Sequence, residues 1–133
     1  LVSLLLVAFV FAAPTNVKRN FKNWTAAEKQ KIHEAVVEIF SRTMHHFENQ
    51  KQHVEIYEIL KLSYELAKEG NVFEKLPKEK LYSLYGRARF LNRPETLVLA
   101  AELQHVIVTV AEEHGLDPTD VNEVIESFGE VDE

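Results

Sequence analysis

TAAEKQKIHEAVVEIFSRTMHHF, residues 25–47, is the stretch that decides the fold class of this chain. Thr25 and Glu28 form the pattern of a capping box, in which each side chain bonds a backbone amide that the first helical turn leaves free. Inward-facing positions then recur at steps of three and four residues, at Ile32, Val36, Ile39, Phe40, Thr43 and Phe47. This spacing predicts an amphipathic helix with a single apolar stripe.

Two further helices are predicted downstream of this stretch. Residues 50–69 carry a broad apolar arc that indicates contact with two neighbours, and Gly70-Asn71 resembles a left-handed cap. Pro77 suits the first turn of a third helix, since its missing N–H has no partner to lose there. The inward stripe of this third helix consists of Leu81, Leu84, Ala88 and Leu91.

Residues 95–114 are the most apolar helical stretch, which predicts a position in the middle of a bundle or along a cavity. A membrane span is the weaker alternative, because Glu102, Gln104 and His105 lie inside the stretch. Gly115 ends it, and Asp117-Pro118 begins a short fifth helix. No useful length alternates at period two, so we predict a compact all-α bundle of about five helices that can enclose an apolar cavity.

The first twelve residues are apolar and uncharged, and they are too short to cross about 30 Å of hydrocarbon as a helix. They resemble the apolar core of a secretory signal peptide cleaved after Ala12, and the absence of a basic start indicates an N-terminally truncated precursor. A buried N-terminal helix is the alternative. The predicted organisation is a signal peptide at 1–12, a flexible basic arm at 13–24, one helical domain at 25–129 and an acidic tail at 130–133.

Composition excludes several classes of function. The chain has 15 Lys and Arg against 21 Asp and Glu, a net charge of −6, which disfavours nucleic acid. It has no Cys, so disulfides and thiolate chemistry are absent. It also lacks a nucleophile elbow, a phosphate-binding glycine loop and an EF-hand, so we predict that it is not an enzyme and has no metal or cofactor.

Six histidines raise the question of metal or haem binding. Their spacing matches no zinc motif, which favours surface histidines. His105 differs, because it lies in the most apolar helix, where it is either a hydrogen-bonded core residue or an axial haem ligand. Asn23-Trp24-Thr25 is a candidate glycosylation site on an exported chain.

Tyr82, Tyr85 and Arg89 recur at helical spacing beside an apolar stripe, with Gly86 between them. Such a group can hold the carboxylate of a fatty acid at the mouth of an apolar cavity. The alternative is an amphipathic boundary at which tyrosine and arginine extend to solvent and pair with glutamates.

Three stretches carry a resemblance: WTAAEK at 24–29, ILKLSYEL at 59–66 and GLDPTDVNEVIESF at 115–128. They resemble the nematode secreted fatty-acid- and retinol-binding proteins. The chain is shorter than those proteins, has fewer lysines and alanines, and lacks a clear counterpart of their N-terminal helical segment. The resemblance implies an all-helical shell around a cavity that carries fatty acids or retinol.

The leading hypothesis is a secreted, extracellular, monomeric carrier of a small apolar ligand, with no nucleic-acid partner and no stable membrane span. The competing hypothesis is a secreted interaction domain without an internal ligand, acting through a surface such as Tyr82, Tyr85 and Arg89. For the carrier, Arg89 is the predicted headgroup contact, with Tyr82 and Tyr85 beside it. The predicted cavity wall consists of Ile39, Phe40, Leu60, Tyr64, Leu84, Val98, Ala101 and Val108.

Overall fold

A computed structural model of the chain describes residues 23–74, 76–80, 82–83 and 95–128. Four α-helices have both of their ends in these ranges: α1 (Ala26–Phe47), α2 (Val54–Glu69), α3 (Glu95–Glu113) and α4 (Pro118–Ser127). A 3-10 turn, Lys51–His53, precedes α2, which therefore begins four residues later than the sequence predicts. The protein is all-α, and the described ranges contain no strand, as predicted.

The predicted capping box begins α1. The amide of Glu28 donates to Thr25 Oγ1 at 3.1 Å, and the amide of Thr25 donates to Glu28 Oε1 at 3.0 Å. The second of these bonds stabilises the carboxylate and lowers the pKa of Glu28. Every position of the predicted α1 stripe is buried, so both the start and the inward face of this helix are confirmed.

α1 is the central helix of the described bundle. It packs against α2, α3 and α4, and α4 also packs against α3, whereas the backbones of α2 and α3 scarcely approach each other. Phe40 of α1 meets Phe128 at the end of α4 with a ring-centroid distance of 5.8 Å. The core therefore surrounds α1, with α2 and α3 on different sides of it.

Gly115 ends α3 in a left-handed conformation, with φ +66°. The amide of Leu116 donates to Ala111 O at 2.8 Å and that of Gly115 to Glu112 O at 3.1 Å, which together form a Schellman motif. Asp117 then caps α4 by accepting from the amide of Thr119 at 2.9 Å. Both predicted boundaries are confirmed.

The predicted left-handed cap at Gly70 is wrong, because its φ is −112°. The chain instead enters a turn in which Asn71 Oδ1 accepts from the amide of Phe73 at 2.9 Å. Phe73 packs edge-on against Trp24, with ring centroids 5.9 Å apart. The turn thereby joins the end of α2 to the residue that precedes the α1 cap.

Some predicted segments lie outside the described residues. Of the third predicted helix, residues 78–80 and 82–83 are described and are helical. The signal peptide, the acidic tail and all of the basic arm except Asn23 and Trp24 also lie outside. None of the described helices combines the length and apolar content that crossing a membrane requires.

The most apolar helix was predicted to lie in the middle of the bundle or along a cavity, but one side of α3 is exposed. Leu97 is 72 % exposed, Val98 44 % and Val108 38 %, and Ala101 is exposed as well. Among the described helices, α3 packs against α1 and α4, which cover one side of it. Its buried side chains are Leu99, Leu103, Val106, Ile107, Val110 and Ala111.

Candidate functional site

An apolar seam lies where α2 and α3 diverge over α1. All four helices contribute side chains to it, with Phe40 from α1 and Ile125 from α4. The seam exists because α1 separates two helices whose backbones scarcely approach each other. Its lining residues are Phe40, Ile59, Leu60, Ser63, Leu99, Leu103 and Ile125.

The seam offers no unpaired polar group to a ligand. Ser63 is its one polar side chain, and its hydroxyl donates to Ile59 O at 2.9 Å within α2. The free volume is about 10 Å³, room for about one water molecule. A preformed pocket for a small apolar ligand has a volume of several hundred Å³, so this seam is closed.

The structure brings two predicted wall residues, Phe40 and Leu60, to the seam. Ile39 is buried elsewhere in the core, and Tyr64 is half-buried with the Lys68 ammonium 5.6 Å from its ring centroid. The prediction that Val98, Ala101 and Val108 face a cavity is wrong, because all three lie on the exposed side of α3.

The predicted headgroup cluster is described only at Tyr82, which is 66 % exposed. Tyr85 and Arg89 lie outside the described residues, as does the predicted wall residue Leu84. Asn23, the candidate glycosylation site, is exposed next to the α1 cap.

Five of the lining residues are not among the predicted wall residues: Ile59, Ser63, Leu99, Leu103 and Ile125. Leu99 and Leu103 stand four residues apart and therefore share one helix face. That spacing was a usable signal for a lining pair. The pair could not be singled out from the sequence, because the neighbouring positions of α3 are equally apolar.

A second concavity, the histidine groove, runs along α1 and α3 on the surface. It is open to solvent, with a volume of about 440 Å³, and its residues are Arg42, His45, His46, Glu102, His105, Val106 and Thr109. His46 Nδ1 lies 3.3 Å from Glu102 Oε1 across the two helices. His105 is exposed on α3, which corrects the expectation that an apolar helix would bury it.

Ion pairs extend this polar surface along α1. Arg42 contacts Glu113 at 2.7 Å and Glu38 at 3.3 Å, and His114 Nε2 lies 2.9 Å from Glu38 Oε2. The hydrogen bonds between Arg42 and Glu113 lower the pKa of the carboxyl and raise that of the guanidinium. In the described part of the chain, no group of three or more His, Asp or Glu side chains is placed to hold a metal ion.

Comparison of the chain with protein-family models, curated proteins and solved structures found no match.

Proposed function

We propose that this protein is a secreted helical carrier of a small apolar ligand, such as a fatty acid or retinol. The observation that supports the proposal is the apolar seam. Its side chains come largely from α2 and α3, two helices whose backbones make few contacts with each other. An apolar chain placed there meets aliphatic and aromatic side chains and displaces no protein hydrogen bond. The resemblance noted in the sequence favours the same function.

Ligand entry requires the seam to open, because its free volume of about 10 Å³ cannot hold a fatty-acid chain. Such opening would part α2 from α3 across the seam, where few backbone contacts join the two helices. The apolar surface that opens is covered again by the ligand, and burial contributes about 25 cal/mol per Å² of apolar area. The carrier therefore takes up its ligand by conformational expansion.

Binding is tested by titrating a fluorescent fatty acid into delipidated, refolded protein. We expect saturable binding at micromolar concentrations. Ser63→Val adds bulk inside the seam and should weaken binding several-fold. Thr43→Val is its matched control, because Thr43 is also buried and also donates its hydroxyl to the backbone four residues earlier, at Ile39 O, but does not line the seam.

Circular dichroism must show that both variants remain folded. Absence of saturable binding to the unmodified protein would overturn the carrier function. If both substitutions weaken ligand binding equally, the ligand does not bind in the seam but elsewhere on the protein.

Secretion is part of the proposal and is supported by the apolar leader at residues 1–12. Mass spectrometry of the native protein should find an N-terminus at Ala13 or Pro14. An intact leader on the native protein would contradict secretion through signal-peptide cleavage.

A secreted interaction domain is the second candidate, and the exposed side of α3 favours it. Leu97 and Val98 are large apolar side chains in contact with solvent, and such surface is common where proteins bind partners. A photo-crosslinking residue at position 97 should capture one partner from native extracellular fluid, while the same residue at exposed Glu112 should not. Equal capture at both positions, or none at position 97, would contradict this candidate.

A further inference from the structure

The two halves of α3 differ in what they pack against, and only the first half covers the apolar seam. We propose that residues 97–104, called here the gate, move outward from the seam to admit the ligand, while residues 105–113, called the anchor, stay in place. The proposal rests on the carrier function, because it names the part of the seam that moves when a ligand enters.

The gate is buried only where it covers the seam. Its buried side chains are Leu99 and Leu103, and both line the seam. On the other side of the gate, Leu97, Val98 and Ala101 are exposed. Outward movement of the gate therefore parts the two leucines from the seam and withdraws no other buried side chain of residues 97–104 from the core.

The anchor is packed more closely than the gate. Ile107, Val110 and Ala111 have no exposed surface, and Val106 is buried beside them. None of these four side chains lines the seam. A segment with few buried apolar contacts opens at a lower free energy than one with many, so opening of α3 should begin in the gate.

The turn after α3 further restrains the anchor. The amide of Leu116 donates to Ala111 O at 2.8 Å, and α4, which follows this turn, packs against both α1 and α3. Arg42 of α1 also holds Glu113 by two hydrogen bonds. Movement of the anchor would carry α4 with it and break these contacts, whereas movement of the gate leaves them in place.

Crosslinking α1 to each half of α3 in turn tests the proposal. His46→Cys with Glu102→Cys introduces two thiols where α1 contacts the gate, at side chains whose polar atoms are 3.3 Å apart. Arg42→Cys with Glu113→Cys is the matched control, because the same two helices meet there at the anchor, with side-chain atoms 2.7 Å apart. The chain has no other cysteine, so one short bifunctional thiol reagent links either pair specifically.

The rate at which each linked protein takes up a fluorescent fatty acid is compared with that of its own unlinked variant. Linking the gate should slow uptake at least about tenfold, because ligand entry then lacks the movement that it requires. Linking the anchor should leave the rate unchanged. Equal slowing by both links would overturn the proposal, as would unchanged uptake with the gate linked, which would show that α2 moves instead.

Amide hydrogen exchange in the ligand-free protein tests the gate without reference to fatty acids. Amides of residues 99–103 should exchange faster than those of residues 107–111, and linking the gate should slow exchange at residues 99–103 several-fold. This pattern in a protein that takes up no fatty acid would contradict the carrier function and still support the movable gate. Exchange at residues 99–103 that the gate link does not change would overturn the gate.

Discussion

Arg42 of α1 and Glu113 of α3 form a two-point ion pair, with Nη2 2.7 Å from Oε1 and Nη1 3.1 Å from Oε2. The residues are 71 positions apart in sequence and join the outer edges of two antiparallel helices. Both side chains are exposed, and exposed pairs contribute little to the free energy of unfolding. The two parallel hydrogen bonds add geometric specificity to the contact between α1 and α3.

Arg42→Gln should raise the pKa of Glu113 toward its ordinary value of 4.5. Arg42 stabilises the carboxylate in the folded state, so its contribution to stability is present above 4.5 and is lost as pH falls through the lowered pKa. NMR titration of the Glu113 carboxyl measures the change. Glu28 is the internal control, because its pKa is lowered by Thr25 instead. An unchanged Glu113 midpoint would contradict this account of the pair.

Leu99→Ala should destabilise the fold by about 2–5 kcal/mol, because it removes a buried side chain from the seam wall and leaves a cavity. Leu97→Ala, two residues away on the same helix, should change stability by no more than about 0.5 kcal/mol, since Leu97 is largely exposed. Urea unfolding measures both free energies. Similar losses at the two positions would show that α3 is oriented differently from the structure.

Gly115→Ala should cost about 1–2 kcal/mol, because an alanine at φ +66° brings its Cβ close to the following carbonyl oxygen. Gly70→Ala should cost less, because φ at Gly70 is negative and the added Cβ would lie 3.4 Å from Leu66 O. Thermal and urea unfolding of the two variants provide the comparison. A larger loss at Gly70 would mean that the α2 exit, rather than the Schellman motif, is the constrained helix end.

The pKa of Asp120 is shifted in the opposite direction from that of Glu113. Its partial burial and the nearby Asp117 charge raise its pKa above 3.8, so the folded state binds the proton more tightly than the unfolded state does. This contribution to stability is complete below 3.8 and is lost as pH rises through the folded pKa.

Asp120→Asn should therefore gain stability relative to the unmodified protein as pH rises through this range, because the amide carries no charge to desolvate. The measurement is the difference between the two urea-unfolding free energies as a function of pH. Asp117→Asn, which keeps a capping side chain, should lower the pKa of Asp120 without abolishing its titration. A difference that is flat with pH would rule out this role for Asp120.

Local sequence was sufficient for the helix boundaries that depend on neighbouring residues. The capping box at Thr25 and Glu28 and the Asp117 cap bond amides two or three residues away, so their spacing alone predicts them. Gly70 shows the limit of this reasoning. The turn after Gly70 brings Phe73 against Trp24, and a contact between residues so far apart in sequence cannot be predicted from the glycine and its neighbours.

The sequence by itself determined that the chain is all-α, where α1, α3 and α4 begin or end, and which face of α1 is buried, because these follow from contacts within one or two helical turns. Only the tertiary structure decided which side of α3 is covered, since that helix is apolar on nearly all sides and its pattern does not distinguish Leu99 from Val98. Packing of α3 on α1 buries the side that carries Leu99 and leaves Val98 exposed. The same packing created the apolar seam and brought His46 to Glu102, because both depend on how helices distant in sequence are oriented against each other.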